Sequence, residues 1–295
     1  MTFHGNTETQ ALSTASSAAG REKSADLSPL QAVIFDWAGT LVDFGSLAPT
    51  QIFVEAFATF GIHITLAQAR GPMGLSKWDH IHQLLQDESI AAQWLEKFGR
   101  APANEDVDAI YARFMPMQIA KVGEFSAPIE GAVQTLQWLR ANGLKVGSCS
   151  GYPREVLNQL LPQAEAAGVK PDYVVAGDEL EAGGRPGPFM ALDNVLALGI
   201  GDVRACVKVD DTVPGIEEGL NAGMWTVGLS LSGNEVGYSV QEFAKADAAD
   251  VEARVAVAEA KLKKAGAHYV VRSVADLPEV LQTIAADMRA GRKPV

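Results

Sequence analysis

Two patterns of apolar and polar residues follow one another along this chain. Short apolar runs predict six buried strands, at residues 31–36, 145–150, 173–176, 205–209, 225–229 and 269–271. After residue 128 these runs alternate with stretches of helical periodicity, at 129–142, 154–167, 188–198, 214–222, 251–265 and 277–288. Strands that alternate with helices are typical of a parallel sheet covered on both faces, so we predict an α/β, doubly wound, Rossmann-like core.

The chain between the first and second predicted strands shows helical periodicity alone. The periodic stretches are 49–60, 76–86, 90–98 and 105–119, and no strand pattern interrupts them. We therefore predict an all-helical cap domain, residues 48–126, inserted into a core domain of residues 29–47 and 127–295. Residues 1–28 are rich in Ser, Ala, Thr and Gly with little periodicity, and we predict a flexible tail there.

A formal net charge of −12 over 295 residues limits the classes of partner. Nucleic acids and anionic membranes both bind basic surfaces, so we expect neither as a partner. A small phosphorylated anion can still bind where a metal ion, a basic side chain or a helix N-terminus supplies local positive charge. No apolar run approaches the ~20 residues of a membrane span, and there is no apolar signal core. Cys149 and Cys206 lie in apolar runs, so we predict buried free thiols and a cytosolic location.

Polar side chains stand at the ends of the predicted strands. Asp36 ends the first strand and Ser150 the second, Arg185 lies on the loop after the third, and Asp210 and Asp211 follow the fourth. In an open parallel sheet these ends line one crevice. Carboxylates there can hold Mg²⁺, while a hydroxyl and a guanidinium can hold phosphate oxygens. Any one of these residues alone is more often a turn or helix-cap residue, but together they favour a site that binds a metal ion and a phosphoryl group.

These strand-end residues resemble the four motifs of the haloacid dehalogenase superfamily. The resemblance rests on the run Asp-Trp-Ala-Gly-Thr at 36–40 and on the residues after the later strands. It implies that Asp36 attacks phosphorus and becomes an aspartyl phosphate. It also implies a metal set for Mg²⁺ and a phosphate-binding set. The implied metal set is Asp36, Ala38 and Asp211, and the implied phosphate-binding set is Thr40, Ser150, Gly151 and Arg185.

Two positions depart from the superfamily pattern. Phosphatases of the superfamily carry a second Asp two residues after the nucleophile, as acid for the leaving oxygen, and Ala38 stands there. A carbon leaving group stabilised in another way needs no such acid, so Ala38 argues against a general phosphatase. Some relatives also carry an acid where Gly215 stands. The sequence has the adjacent pair Asp210 and Asp211 instead. Alignment favours Asp211 for metal contact, and Asp210 either supports it or points elsewhere.

A lysine in the cap can stabilise a carbon leaving group without an acid at position 38. Residues 70–80, 36–45 and 221–228 resemble segments of the phosphonoacetaldehyde hydrolase (phosphonatase) family. In that family a lysine forms an imine with the substrate aldehyde, and the matching position here is Lys77. A neutral lysine amine condenses with carbonyl groups, as this chemistry requires. A solvated surface lysine is the commoner fate of the residue type, but the Pro-Met-Gly and Asp-His context favours the catalytic interpretation.

Three further residues accompany Lys77 in the resemblance, each with a structural alternative. His80 is one helical turn from Lys77, where it either tunes the lysine or transfers a proton, or is an ordinary surface or N-terminal-turn histidine. Met73 either packs over the imine or belongs to the core. Tyr152 lies at the mouth of the crevice and either shapes the pocket or merely packs there.

The resemblance implies one reaction and leaves two rivals. The reaction is Mg²⁺-dependent hydrolysis of the small-molecule phosphonate phosphonoacetaldehyde to acetaldehyde and phosphate, in 2-aminoethylphosphonate degradation. By family analogy we also expect a homodimer joined through the cap. One rival is a phosphate-ester hydrolase of the same superfamily. The other is a non-catalytic binding protein on the same fold.

Overall fold

A six-stranded parallel sheet lies at the centre of the protein, as a computed structural model describes it for residues 26–294. The strands are β1 Ala32–Phe35, β2 Lys145–Cys149, β3 Tyr173–Val175, β4 Cys206–Asp210, β5 Trp225–Leu229 and β6 Tyr269–Val271. Their order is β3-β2-β1-β4-β5-β6, and every pairing is parallel. The order changes direction at β1, so the C-terminal ends of β1, β2 and β4 frame the crevice of the sheet. The predicted α/β, doubly wound core is confirmed.

Helices cover both faces of the sheet. Val33 and Phe35 of β1 pack into one apolar cluster, and Ala32 and Ile34 pack into a second on the opposite face. This alternation follows from the two-residue period of a strand. The core helices are α6 Ala132–Ala141, α7 Arg154–Ala166, α8 Phe189–Ala197, α9 Val213–Asn221, α10 Val240–Phe243, α11 Ala248–Lys264 and α12 Leu277–Arg289.

Five helices lie between β1 and β2. They are α1 Leu47–Thr59, α2 Leu66–Arg70, α3 Lys77–Leu85, α4 Glu88–Phe98 and α5 Asn104–Lys121. They share an apolar cluster of their own, in which Phe53 of α1, Trp94 of α4 and Phe114 of α5 are almost fully buried. A separate core is what an inserted cap requires. The domain bounds 29–47, 48–126 and 127–295 stay a prediction.

Several helix ends differ from the predicted ones for local reasons. The helix predicted from residue 129 begins at Ala132, because Gly131 has a φ of 84°, outside the helical region. The short helices α2 and α10 were not predicted. Helices of five and four residues are too short to show a helical period.

The flexible-tail prediction for residues 1–28 needs a correction at its end. Residues 1–25 lie outside the described part of the chain. Leu27 is 3% exposed and packs in the core cluster. Nη1 of Arg289 donates to the carbonyl oxygens of Asp26 and Ser28, at 2.9 and 2.7 Å. An apolar anchor and two hydrogen bonds therefore hold this segment to the core before residue 30.

Cys149 and Cys206 are both buried and free, so the prediction for them is confirmed. Within residues 26–294, no helix combines the length and the apolar character that crossing a bilayer requires.

Candidate active site

A narrow cavity lies where the cap meets the C-terminal ends of the strands. Asp36 follows β1 and Ser150 follows β2, so the sheet order brings them to the same edge. The cap contributes the loop that leads into α3. The lining residues are Asp36, Ala38, Ser46, Pro49, Met73, Gly74, Lys77, Ser150, Gly151, Tyr152, Arg185 and Thr212.

Asp36 and Arg185 form a buried ion pair at the floor of this cavity. Nη1 of Arg185 lies 2.8 Å from Oδ1 of Asp36, and the two side chains are 1% and 8% exposed. Burial, and next the negative charge of Asp210, raise the pKa of Asp36 to about 6, although Arg185 opposes the shift. Asp36 is therefore mostly ionised at neutral pH, and any further positive charge beside it would stabilise the carboxylate form.

Contacts on its remaining nitrogens fix the Arg185 guanidinium. Nε lies 2.8 Å from Oε2 of Glu218 on α9, and Nη2 donates to the carbonyl oxygen of Cys149 at 3.0 Å. Asn221 of α9 donates through Nδ2 to the carbonyl oxygen of Pro186 at 2.8 Å, which holds the loop itself. The planar fork of an arginine held on several edges has one orientation, and here it faces Asp36.

Three carboxylates converge beside this ion pair. One oxygen each of Asp36, Asp210 and Asp211 lie within 4.8 Å of one another, and all three side chains are buried. Burial, and next the charges of Asp36 and Asp210, raise the pKa of Asp211 well above its ordinary value. Crowded, buried oxygen ligands are the donor set that a divalent cation such as Mg²⁺ prefers, so these residues fit a metal.

Asp210 and Asp211 have different neighbours. Oδ2 of Asp210 lies 3.3 Å from Nη2 of Arg185 and also contacts Nζ of Lys208. The pKa of Asp210 is held below its ordinary value because these two cations outweigh the effect of burial. Among residues 26–294, Asp211 accepts hydrogen bonds from two uncharged donors, the Thr40 hydroxyl at 3.2 Å and the Asn234 amide at 2.8 Å. These contacts favour Asp211 over Asp210 as the metal ligand, and that assignment stays a prediction.

Lys77 is the first residue of α3 and is 4% exposed. Its Nζ lies 4.9 Å from the ring centre of Tyr152 and 5.7 Å from that of Phe53. Burial, with Arg185 adding to it and Asp36 opposing, lowers the pKa of Lys77 to about 7. The alternative of a solvated surface lysine is therefore wrong, and a large fraction of Lys77 is the neutral amine at neutral pH.

His80 is fully buried, so the alternative of an ordinary surface histidine is wrong. Its ring stacks on Phe53 at 3.8 Å between centroids, and Nε2 lies 2.9 Å from the carbonyl oxygen of Ala69. Burial, and next the charge of Lys77, hold the pKa of His80 well below its ordinary value. A neutral ring that donates Nε2–H to this carbonyl leaves Nδ1 as an acceptor, and Nδ1 has no partner among residues 26–294.

Glycines allow the cap loop to lie directly on the core. A Cβ at Gly151 would fall 2.4 Å from the carbonyl oxygen of Leu75. A Cβ at Gly74, where φ is +98°, would fall 2.4 Å from Oγ1 of Thr212. Any side chain at either position would separate the two layers. Nη1 of Arg185 also lies 3.3 Å from the carbonyl oxygen of Gly74, which ties the loop to the phosphate-binding guanidinium predicted from the sequence.

Comparison with known proteins gives one consistent family. Residues 30–223 match the family model of haloacid dehalogenase-like hydrolases. A phosphonoacetaldehyde hydrolase of Salmonella typhi is 59% identical over 266 residues, which cover 90% of this chain and 99% of the relative. One of Vibrio cholerae is 56% identical over 268 residues, again covering 90% and 99%. This chain belongs to the phosphonoacetaldehyde hydrolase family.

A solved structure agrees with that membership. A phosphonoacetaldehyde hydrolase-like protein from Oleispira antarctica, known from a crystal structure, has a sequence 44% identical to this one. The two structures superpose with a TM-score of 0.88, and the match covers 90% of this chain and 96% of that one. The family resemblance stated from the sequence is thereby confirmed, cap and core together.

Most residues predicted for the site of this phosphonoacetaldehyde hydrolase family member lie in or against the cavity. Ala38, Met73 and Tyr152 line it together with the residues described above. Thr40 does not line the cavity, and its hydroxyl donates a hydrogen bond to Oδ1 of Asp211. The Ser150 hydroxyl accepts from the amide of Tyr152 at 3.0 Å. The roles of all these residues stay predictions.

The sequence interpretation does not identify two charged residues that lie beside the site. Lys208 of β4 and Glu218 of α9 are both fully buried, and Nζ of Lys208 lies 3.4 Å from Oε2 of Glu218. Although burial alone would lower it, the neighbouring carboxylate of Asp210 raises the pKa of Lys208 above its ordinary value. The available signal was a lysine inside an otherwise apolar strand, because lysine is almost never fully buried unless it is paired.

Proposed function

We propose that this protein hydrolyses the carbon–phosphorus bond of phosphonoacetaldehyde, with Asp36 as nucleophile and Lys77 as the residue that forms an imine. The observation that carries the proposal is a buried lysine of lowered pKa in the same narrow cavity as a buried carboxylate and an arginine. An aldehyde needs an amine, and a phosphonate needs a nucleophile and positive charge. The cavity offers both sets at one place.

Lys77 acts first in the proposed sequence. Its neutral amine adds to the aldehyde carbon, the resulting hydroxyl group takes up a proton from solvent, and loss of water gives an imine that carries a proton on nitrogen. The rings of Tyr152 and Phe53, whose faces attract cations, lie near enough to stabilise that charge. The positively charged nitrogen then stands two bonds from the carbon attached to phosphorus, where it can accept the electrons of the carbon–phosphorus bond.

Asp36 then attacks phosphorus through a carboxylate oxygen. The new oxygen–phosphorus bond forms as the carbon–phosphorus bond breaks, and the released electron pair moves into the imine to give a neutral enamine. No proton has to reach the leaving group at this moment, which agrees with Ala38 in place of an acid. Water hydrolyses the aspartyl phosphate to phosphate and free Asp36. Protonation of the enamine carbon and hydrolysis of the imine give acetaldehyde and regenerate Lys77.

Positive charge has to meet the phosphonate oxygens during this attack. Arg185 is placed for it, since Nη1 already lies 2.8 Å from the attacking carboxylate. We propose that Asp36, the backbone carbonyl of Ala38 and Asp211 would hold Mg²⁺, which when bound neutralises charge on the phosphonate and phosphate oxygens. Lys208 and Glu218 keep Arg185 in place rather than touching substrate, as their contacts with Asp210 and Arg185 indicate.

The rival function within the superfamily is hydrolysis of a phosphate ester. An alkoxide leaving group requires a proton donor near the scissile bond, and residue 38 has no acidic side chain. A phosphate-ester hydrolase also has no use for a neutral buried lysine. A purely binding role gives no reason for a carboxylate nucleophile beside an arginine.

One assay separates these functions. Purified protein is given phosphonoacetaldehyde or p-nitrophenyl phosphate, each with Mg²⁺ or with EDTA, and acetaldehyde and phosphate are both measured. We expect equal amounts of the two products from phosphonoacetaldehyde with Mg²⁺ and far slower phosphate release from the ester. Faster ester hydrolysis would replace the proposal with its rival, and ligand binding without turnover would replace both.

Three broader statements belong to the same proposal. By analogy with the family, we propose a homodimer joined through the cap. Light scattering during size-exclusion chromatography, which measures the molar mass in solution, tests this. The proposed reaction would follow transamination of 2-aminoethylphosphonate. The cytosol stays the proposed compartment, supported by the free state of Cys149 and Cys206.

A further inference from the structure

An arginine of the cap that does not line the cavity reaches into the loops of the core. Arg70 is the last residue of α2, and its guanidinium is partly buried among loops that belong to the sheet. Nη1 donates to the carbonyl oxygens of Gly45 and Asn234, at 2.9 and 3.0 Å, and Nη2 donates to that of Gly237, at 3.1 Å. A fourth acceptor is the side-chain Oδ1 of Asn234, 3.2 Å from Nη1, and all four acceptors are uncharged, so the shape of the core loops determines the contact.

The core has space for this side chain because of a glycine. A Cβ at Gly237, where φ is +64°, would lie 2.6 Å from Cζ of Arg70. A partly buried guanidinium that is held by four uncharged oxygens fits one arrangement of those oxygens, because its donors form a rigid fork.

Asn234 connects this contact to the metal-binding acids. Its side-chain Nδ2 donates to the carbonyl oxygen of Arg70 at 3.1 Å, so the two residues bind each other in both directions. The backbone amide of the same Asn234 donates to Oδ2 of Asp211 at 2.8 Å. One core residue therefore binds the cap arginine on one side and a carboxylate of the site on the other.

The loop from Arg70 to Lys77 is attached to the core at its first residue and again midway along its path. Arg70 is held as described, and four residues later Gly74 lies against Thr212 and within reach of Arg185. Lys77 follows three residues after that and begins α3. Without the Arg70 side chain, the loop keeps the hydrogen bond from Asn234 to the backbone of residue 70, the close contacts of Gly74 and Leu75 with the core, and one long hydrogen bond from Arg185.

We propose that Arg70, through its mutual contact with Asn234, is a positioning residue that sets the cap loop on the core and so places Lys77 opposite Asp36. The proposal rests on the proposed role of Lys77 in imine formation. Arg70 touches no reacting atom. It ties the placement of the lysine to the same loop that supports Asp211, so the two halves of the site are assembled together.

The test compares Arg70→Ala with a matched arginine. Arg254 of α11 donates to the carbonyl oxygen of Val236 at 3.1 Å, in the same core loop, but belongs to the core itself. Arg254→Ala therefore removes a comparable contact without untying the cap. Arg70→Lys keeps the charge and the stem but loses the fork.

Hydrogen exchange followed by mass spectrometry gives a readout without any reaction. In free protein, we expect Arg70→Ala to exchange at least about tenfold faster at residues 71–80 and 232–238 and unchanged at 88–98, in α4. Arg254→Ala should leave residues 71–80 unchanged. For turnover of phosphonoacetaldehyde, Arg70→Ala should lower kcat at saturating substrate by about tenfold or more, and Arg70→Lys should be intermediate.

The outcomes distinguish this inference from the proposed function. Borohydride trapping of acetaldehyde on Lys77 in the unaltered protein tests the imine alone, and its absence defeats the proposed function whatever Arg70 does. If trapping succeeds but exchange at 71–80 in Arg70→Ala matches Arg254→Ala, the positioning role is wrong. An Arg70→Lys protein with full kcat would also overturn it, since a point charge would then suffice; this variant decides the matter if Arg70→Ala does not fold.

Discussion

A carboxylate oxygen of Asp210 occupies the space in which a side chain at Gly215 would begin. A Cβ built on Gly215 would lie 1.9 Å from Oδ2 of Asp210. That oxygen contacts both Lys208 and Arg185, and the other accepts from the Thr212 amide at 3.0 Å. The absence of a side chain at 215 therefore allows the Asp210 carboxylate to lie here. The position of this carboxylate in turn fixes Lys208 and Arg185, the two cations that it contacts.

Gly215→Ala should damage the site more than its size suggests. The methyl group would displace the Asp210 carboxylate, so we expect kcat/KM to fall at least about tenfold and the free energy of unfolding to fall by about 1–3 kcal/mol. Enzyme assays and urea unfolding measure the two effects. Gly201→Ala is the control, because a Cβ there has no atom within 4 Å. Equal behaviour of the two variants would show that the close packing has no consequence.

Asp36→Asn should fold and lose turnover. The amide has nearly the shape of the carboxylate but is a poor nucleophile toward phosphorus, so we expect kcat to fall by roughly 10³-fold or more. Thermal unfolding checks the fold, and acid quenching of the unaltered protein during turnover should trap an aspartyl phosphate on Asp36. Near-normal activity of Asp36→Asn would remove it from the role of nucleophile.

Metal dependence should separate the two adjacent acids. EDTA should abolish activity and Mg²⁺ should restore it, because the clustered carboxylates need a cation. Asp211→Ala should require far more Mg²⁺ than Asp210→Ala, since Asp210 is already neutralised by Lys208 and Arg185. Titration of activity with Mg²⁺ measures this order. The reverse order would make Asp210 the metal ligand.

Borohydride added with acetaldehyde should inactivate the protein irreversibly. Reduction of the imine would leave a two-carbon adduct on Lys77, which peptide mass spectrometry can locate. Lys77→Arg should keep the positive charge yet lose turnover, because a guanidinium does not condense with an aldehyde in this way. Lys121→Arg, a change at a half-exposed cap lysine paired with Glu55, is the control and should remain active. An adduct on another lysine, or an active Lys77→Arg protein, would overturn the mechanism.

The pH dependence of trapping should follow the lowered pKa of Lys77. The neutral amine is the reactive form, so a pKa of about 7 places roughly half of Lys77 in that form at pH 7. The rate of acetaldehyde trapping should therefore rise with pH through about 7 and level off above it. An exposed lysine, with a pKa near ~10.4, should continue to gain up to about pH 10. A trapping rate that rises steeply between pH 8 and 10 would mean that Lys77 has an ordinary pKa.

The sequence alone determined the architecture and named the principal candidate residues of the site. Strand and helix periods are local properties, since each buried strand is a short apolar run and each helix repeats its apolar residues. Because parallel strands end at one edge, Asp36, Ser150 and Asp211 could be expected in one crevice before any contact was known. The motif around Lys77 supplied the family, and the structure shows that lysine buried beside Tyr152.

What only the tertiary structure decided concerns side chains from distant parts of the chain. Lys208 and Glu218 became part of the site when β4 and α9 packed beside Arg185. Arg70 lies 164 positions before the Asn234 that binds it. No local period encodes such a meeting, because it depends on how the loops fold over the sheet. The same packing removes water, and burial is what lowers the pKa of Lys77, which the sequence records only as a lysine.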